Sequence, residues 1–291
     1  MPLQQNHSQL RLALPKGRMA EGVMALLDDA GIRVRLGARE YRPDISLPGF
    51  EIKILKPQSI VTMLEVGLRD LGFTGADWVT EFGAEAVELL DTGLDPVRLV
   101  AAAPHELLMG GQLPRRSLIV ASEFERVTKA WIERQGLNAT FLRSFGATEV
   151  YPPEDADCIV DIVATGATLQ ANGLQVVNEL ATSSTRLYAS PAALKNPAFR
   201  ERIDGFVMLL RSVLEARRRV MVEVNVSRDK LEGLVAILPC MREPTIASLY
   251  GDRGYAVKVA VQREELPALI PRVKALGGTD VVVSEFSQIV P

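Results

Sequence analysis

The sequence predicts an α/β protein of two lobes joined by a double crossing, with a smaller domain after them. Three observations carry this. Strands repeatedly end in small-residue turns that open into helices. The chain returns after its second lobe through a strand at Arg186–Ala189 and a long helix from about Pro197 to Arg218. After Arg217, Arg218 and Arg219 the pattern changes to strand, helix, strand, strand, helix, strand in about 70 residues.

Leu10–Leu14 is a predicted strand, followed by the turn PKGRM and a helix over about 20–30 with Val23, Leu26 and Leu27 at helical spacing. A second unit runs from a strand at Phe50–Leu55 through Lys56 and Pro57 to a helix around Ser59–Val66, then to a strand at Asp70–Phe73. The turn Thr74-Gly75-Ala76-Asp77 follows, and Asp77–Leu90 is a predicted helix. The second lobe starts after Pro104, with a strand at 117–121, a helix at 124–135, a strand at 139–142 and the turn SFGATE. These assign 1–103 plus 186–218 to lobe I and 104–185 to lobe II, with a cleft between them able to close over a substrate. Residues 219–291 supply strands at 220–226, 245–250, 255–261 and 280–286 and helices at 228–238 and 263–276. That order is the ferredoxin-like one, with Gly251–Gly254 as the central hairpin turn.

Composition excludes several function classes. The 291 residues are 47% hydrophobic, enough for a large core. Lys plus Arg (33) nearly balances Asp plus Glu (36), and no basic stripe alternates with aromatics, so polyanion binding is not expected. The polar start MPLQQNHSQLR lacks a secretory h-region and no apolar run nears the roughly 20 residues of a membrane span, so a cytoplasmic address is expected. Cys158 and Cys240 lie far apart in apolar contexts and read as core residues. Of the two histidines, His7 sits in a polar tail, leaving His105. Chemistry resting on a histidine base or a histidine-rich metal centre is therefore hard to assemble.

The stretch Asp157–Leu174, DCIVDIVATGATLQANGL, carries the chemistry. The β-branched run Cys158–Val163 suits a strand buried on both faces, and its one interior acid, Asp161, stands out. Beyond it Thr165, Gly166 and Thr168 offer hydroxyls and backbone N–H groups at the positive end of a helix beginning near Leu169, a combination suited to a phosphate. Asp161 is placed to accept from sugar hydroxyls. The alternative is that Asp161 closes a strand and Thr165 or Thr168 caps a helix. Trp78 is expected in the core rather than as a stacking platform.

The chain resembles the long form of the ATP phosphoribosyltransferase family. The resemblance rests on LALPKGRM (Leu12–Met19), DLGFTGADWV (Asp70–Val79), GATEV (Gly146–Val150), DIVATGATLQANGL (Asp161–Leu174), LPCMREPTIASL (Leu238–Leu249) and KALGGTDVVV (Lys274–Val283). It implies a two-lobed body like the type II periplasmic binding proteins, a third domain binding histidine as feedback inhibitor, and assembly into dimers and hexamers. It implies transfer of phosphoribosyl from phosphoribosyl pyrophosphate to N1 of the ATP adenine, the first step of histidine biosynthesis. By resemblance Asp161, Ala164, Thr165, Gly166, Ala167 and Thr168 hold phosphoribosyl pyrophosphate. Lys16, Gly17, Arg18, Lys56, Thr74, Gly75 and Asp77 meet the nucleotide, and Asp161, Lys16 and Glu149 serve the reaction itself. Asn225 and Thr245 meet histidine. The chain has Lys56 and Ser59 where members often have Arg and Asp, replacing a forked grip by a point charge. At Asn225 many members have an acid, which an amide replaces without charge.

Adenine N1 is already a neutral nucleophile, so positioning and electrostatics suffice, with Mg²⁺ held mainly by substrate oxygens and one or two carboxylates. No dedicated protein metal ligands are expected. Asp77 has a second reading as the N-cap of its helix, and Glu149 as a solvated strand-end acid. Two other functions fit the same fold: a solute-binding module, and a catalytically silent paralogue or regulatory subunit.

Overall fold

The computed structural model describes residues 8–37, 41–241 and 243–290. His7, and Arg242 of the LPCMREPTIASL segment, lie outside the described residues. In chain order the elements are β1 (Leu10–Pro15), α1 (Met19–Asp29), β2 (Val34–Arg35), β3 (Asp44–Ile45), β4 (Phe50–Leu55), α2 (Pro57–Glu65), β5 (Leu71–Gly75), α3 (Ala76–Phe82), β6 (Val87–Pro104), β7 (Leu118–Ser122), α4 (Glu125–Arg134), β8 (Ala139–Arg143), β9 (Cys158–Val163), α5 (Ala167–Ala171) and β10 (Leu174–Ala189). They continue with α6 (Pro191–Leu194), α7 (Pro197–Arg218), β11 (Arg219–Val226), α8 (Leu231–Val235), β12 (Thr245–Ser248), β13 (Tyr255–Gln262), α9 (Leu266–Ala275) and β14 (Thr279–Glu285). The chain divides into two compact units, one running to residue 25 and joined by 32–203, the other 26–31 with 204–291.

The first unit is organised on one mixed sheet of order β4-β1-β5-β10-β6-β9-β7-β8. β1 is parallel to β4 and β5, and β7 is parallel to β8 and β9. Between these two parallel groups run β6 and β10, an antiparallel pair that forms the double crossing. β10 pairs with β5 through Thr185–Ala189, and β6 pairs with β9 through Arg98–Ala102.

The crossing departs from the sequence reading in three places. The helix expected over Asp77–Leu90 stops at Phe82, because Gly83 adopts φ 61° and returns its N–H to the helix end, after which β6 begins at Val87. The segment DTGLDP inside β6 carries turn residues, and Asp91 accepts from the Gly93 N–H as in a turn, yet the strand continues through bulges. The strand expected only at Arg186–Ala189 starts at Leu174, and its register with β6 shifts repeatedly between Val176 and Tyr188, which hides the period-two pattern.

Parallel strands covered on both faces explain the continuous apolar runs: Leu12, Ala13 and Leu14 of β1 and Cys158, Ile159 and Val160 of β9 are fully enclosed. Trp78 is core, 7% exposed, stacked on Phe124 with ring centroids 4.4 Å apart. Burial pushes the Cys158 thiol up to about 12, consistent with an inert core position. Cys240 is half-buried against the core of the second unit.

In the second unit β12-β13-β11-β14 form an antiparallel sheet, the ferredoxin-like strand order. Val220, Val222, Val224 and Val226 alternate inward from β11 onto Val257, Val259 and Val261 of β13, covered by Leu234, Leu269 and Val273 of the helices. The first helix is shorter than expected: a 3-10 turn at Arg228–Lys230 precedes the five residues of α8. Gly254 holds φ +136° in the hairpin turn, and a Cβ there would lie 2.3 Å from the Val226 carbonyl oxygen.

Candidate active site

Strand register places the two halves of the site opposite each other. β5 ends at Gly75, paired with Thr185 of β10. β9 ends at Val163, paired with Arg98 of β6, which pairs with Thr182 of β10. The C-terminal ends of the two parallel groups therefore approach from opposite directions and meet within the interval 182–185, on the order of 10 Å of strand. Open α/β sheets bind ligands at these ends.

On the β9 side, Glu149, Asp161, Ala164, Thr165, Gly166 and Thr168 line one cavity of about 250 Å³. Asp161 lies inside β9, and its Oδ1 accepts from the Ile162 N–H at 2.7 Å. Burial, together with the nearby Glu149 and Glu123 charges, pushes its carboxyl up to about 6. Gly166 caps α5 at φ +86°, a conformation glycine tolerates. Thr165 Oγ1 accepts from the Ala167 N–H at 3.4 Å, while Thr168 stands exposed within α5. Neither threonine is the N-cap. The helix expected near Leu169 starts at Ala167 and has five residues, so its dipole is that of a single turn. The turn's hydroxyls and N–H groups carry the larger share of any phosphate grip.

On the β1 side, Pro15 pairs with Leu55, so Lys16 and Lys56 leave neighbouring strand ends side by side. They share a cavity of about 320 Å³ with Tyr41, Arg42, Lys53, Ile54 and Leu55. Lys16 Nζ lies 5.5 Å from the Tyr41 ring centroid. Burial and the charges of Arg69 and Arg42 hold the Lys53 amine below its ordinary value. Four cations around one cavity suit a small phosphate-bearing ligand, whereas the expectation against polyanions concerned extended ones such as nucleic acid. The sequence reading missed Arg42 and Lys53, although a lysine inside the apolar strand FEIKIL was the available signal.

The other nucleotide-side residues occupy separate places. Gly17 turns the chain at φ +78°. Arg18 Nη1 donates to the Asp95 carbonyl at 2.9 Å rather than facing the four-cation cavity. Thr74 is fully buried and its hydroxyl donates to the Pro57 carbonyl, so it fixes the strand end. Asp77 is not the helix N-cap, which is Gly75; it is 5% exposed, and Ser183 Oγ donates to its Oδ1 at 2.9 Å while accepting from its N–H. Burial raises its carboxyl above the ordinary value against the Ser183 bond. A Cβ on Gly75 would lie 2.0 Å from Asp77 Oδ1, so glycine is needed for the carboxylate to reach Ser183. Ser183 was hidden in TSST, which reads as loop.

Residues 56–212 match the family described as ATP phosphoribosyltransferase, and residues 216–288 match its C-terminal domain. The chain belongs to the ATP phosphoribosyltransferase family. It is 34% identical to an ATP phosphoribosyltransferase of Pelotomaculum thermopropionicum over 97% of this chain and all of that protein. It is 32% identical to an ATP phosphoribosyltransferase of Chlorobium phaeobacteroides over 97% of each. Among solved structures it is similar to an ATP phosphoribosyl transferase (HisG:HisZ) complex from Thermotoga maritima, with TM-score 0.63 and 27% identity over 71% of this chain and 99% of that one. Membership makes the chain an enzyme of the pentosyltransferase class.

For this transferase family the acid arrangement bears on a metal. Among the described residues no three side chains of His, Cys, Asp or Glu are grouped so as to hold a metal ion by themselves. Glu149 and Asp161 share a cavity, a donor set that fits Mg²⁺ held largely by substrate oxygens. A larger cavity of about 770 Å³, between Gly110–Arg116 and Gln135–Asn138, has no acid in its wall and holds none of the expected site residues. In the second unit Asn225 Nδ2 donates to Asp280 Oδ2 at 3.1 Å. Thr245 lies on the edge strand β12, with β13 between it and β11, and opposite Lys258 rather than in line with Asn225. Within the chain these two are not brought together.

Proposed function

We propose that this chain transfers the phosphoribosyl group of phosphoribosyl pyrophosphate to N1 of ATP with release of pyrophosphate, the first step of histidine biosynthesis. The observation that carries the reading is the convergence of the β5 and β9 ends on residues 182–185, with a carboxylate-and-hydroxyl turn on one side and cations on the other. The turn Ala164–Thr168 holds the 5-phosphate, and Asp161 accepts from ribose hydroxyls while positive charge develops at C1. Lys16 and Lys56, with Arg42 and Lys53, face phosphate oxygens whose charge grows as the C1–O bond breaks. The N1–C1 bond forms from an existing lone pair, so no side chain need remove a proton first. Glu149 and Asp161, with substrate oxygens, would hold Mg²⁺, which would neutralise charge on the departing pyrophosphate.

The lobes of the catalytic body follow 1–103 with 186–218, and 104–185; residues 219–291 are the regulatory domain. Histidine is its inhibitor. Asn225 carries no charge, and the Asp280 carboxylate hydrogen-bonded to it supplies the charge for an ammonium group. Asp280→Asn is expected to raise the histidine concentration for half-inhibition about tenfold, the value of one charge-assisted bond. Inhibition curves at fixed substrates check this; an unchanged midpoint removes Asp280 from the site. The active form is a homo-oligomer, dimer and hexamer, working in the cytoplasm. No described helix is long and apolar enough to cross a membrane.

Incubation with ATP, phosphoribosyl pyrophosphate and Mg²⁺ is expected to yield the N1-substituted nucleotide and pyrophosphate in equal amounts. Ligand binding without either product would instead support a silent paralogue or a solute-binding module.

A further inference from the structure

Three buried hydroxyls outside the substrate cavity join the two carboxylates that line it. Ser122, Ser144 and Thr148 are each at most 1% exposed. Ser122 ends β7, where it pairs with Val160 of β9 on one side and Arg143 of β8 on the other. Its Oγ donates to the Val160 carbonyl at 2.6 Å, at the residue before Asp161, and accepts from the Phe124 N–H at 2.9 Å. Its own carbonyl accepts from the Ser144 N–H at 3.1 Å. Ser144 Oγ and Thr148 Oγ1 are 2.8 Å apart, and Thr148 opens the 3-10 turn that presents Glu149. The approach to that turn is bent: Gly146 takes φ 105°, which glycine tolerates, and Ala147 is held at a strained φ of 49°. The chain of bonds thus runs from the backbone beside Asp161 to the backbone beside Glu149 without entering the cavity.

We propose that Ser122, Ser144 and Thr148 are positioning residues that set the separation of the Asp161 and Glu149 carboxylates, and through it the grip on the phosphoribosyl substrate. The inference rests on the assignment of that cavity to phosphoribosyl pyrophosphate. An ordinary packing role would not require three buried hydroxyls linked through one backbone bond between Ser122 and Ser144, since buried polar groups cost free energy unless each is bonded, and small apolar residues would fill the same space. Two carboxylates near one cavity repel, so their spacing must be held by something other than themselves. The titratable groups facing Asp161 are Glu149, from the turn after β8, and Glu123, from the loop after β7; β6 faces it with Val100. Both acids lie next to a member of the hydroxyl chain.

The test is the steady-state kinetics of Thr148→Val, which keeps shape and removes the hydroxyl, beside Thr148→Ser, which keeps the hydroxyl. Wild-type turnover of ATP and phosphoribosyl pyrophosphate is measured first; its absence defeats the assignment of the cavity, independently of the hydroxyl chain. With turnover present, Thr148→Val is expected to raise KM for phosphoribosyl pyrophosphate about tenfold, as for one lost buried hydrogen bond, and to leave KM for ATP within about twofold. Thr148→Ser restores the parent KM for phosphoribosyl pyrophosphate. Should Thr148→Val fail to fold, Ser144→Ala, which adds no volume, is read by the same two quantities. A variant that melts earlier but keeps the parent KM for phosphoribosyl pyrophosphate overturns the proposal. So does an equal rise in both KM values.

Discussion

Asp161→Ala is expected to weaken phosphoribosyl pyrophosphate binding by about 1–3 kcal/mol, the range for deleting an acceptor of buried or charge-assisted bonds. The conservative Asp161→Asn separates charge from shape through pH. In the folded protein the carboxyl titrates near 6, raised first by burial and then by Glu149 and Glu123. A raised acid favours the protonated folded state: its contribution to stability is fully present below the ordinary value of 3.8 and is lost as pH rises through about 6. At neutral pH the protein therefore holds an ionised carboxylate against its surroundings, a burden that asparagine lifts. Asp161→Asn is expected to be less active than the parent yet to melt at a higher temperature at pH 8. In the parent, kcat/KM for phosphoribosyl pyrophosphate falls as pH drops below about 6, since that ratio reports the free enzyme. The asparagine variant loses this limb. A limb that persists unchanged in the variant belongs to another group.

Gly75→Ala is the second large effect. The new Cβ would stand 2.0 Å from Asp77 Oδ1 and 3.4 Å from Met19 Cε, in a strand end with no exposed side. The carboxylate must leave Ser183, stranding a buried hydroxyl and a buried acid whose Oδ2 already lacks a hydrogen-bond partner among the described residues. Overpacking of this kind costs about 1–3 kcal/mol, and the lost bond adds about 1 kcal/mol more. Denaturant unfolding checks the stability loss. If Asp77 shapes the nucleotide side, KM for ATP rises while that for phosphoribosyl pyrophosphate is nearly unchanged. Unfolding indistinguishable from the parent would mean that the strand end gives way easily, and the tight Gly75–Asp77 fit would have no functional weight.

The legible parts of the fold were those where one local rule acts alone. β9 and β1 are enclosed on both faces, so continuous apolar runs marked them within a residue or two. β11 buries alternate valines, so period two marked it. The double crossing was expected from the order of elements, but of its strands the sequence marked only Arg186–Ala189 at the end of β10. β6 carries Asp91, Gly93, Asp95 and Pro96, and β10 carries Thr182–Thr185, residues that signal turns when read locally. Pairing between the two long strands overrides those preferences. The site shows the same division. Asp161 and the turn after it stand out in the sequence because an acid inside an apolar strand conflicts with its surroundings. Ser183 and the Ser122–Thr148 hydroxyls escaped notice because a buried serine has no pattern of its own; its partner lies up to 106 residues away. Arg18 and Thr74 show the converse, motif residues whose polar groups the fold has already engaged on Asp95 and Pro57.

Calorimetric titration of phosphoribosyl pyrophosphate into the parent and into Thr168→Val, whose exposed hydroxyl can be removed with little effect on the core, tests whether the turn after β9 holds the phosphoribosyl substrate. The predicted result is binding about tenfold weaker in the variant, with ATP affinity unchanged. Equal affinity of parent and variant for phosphoribosyl pyrophosphate would contradict the assignment.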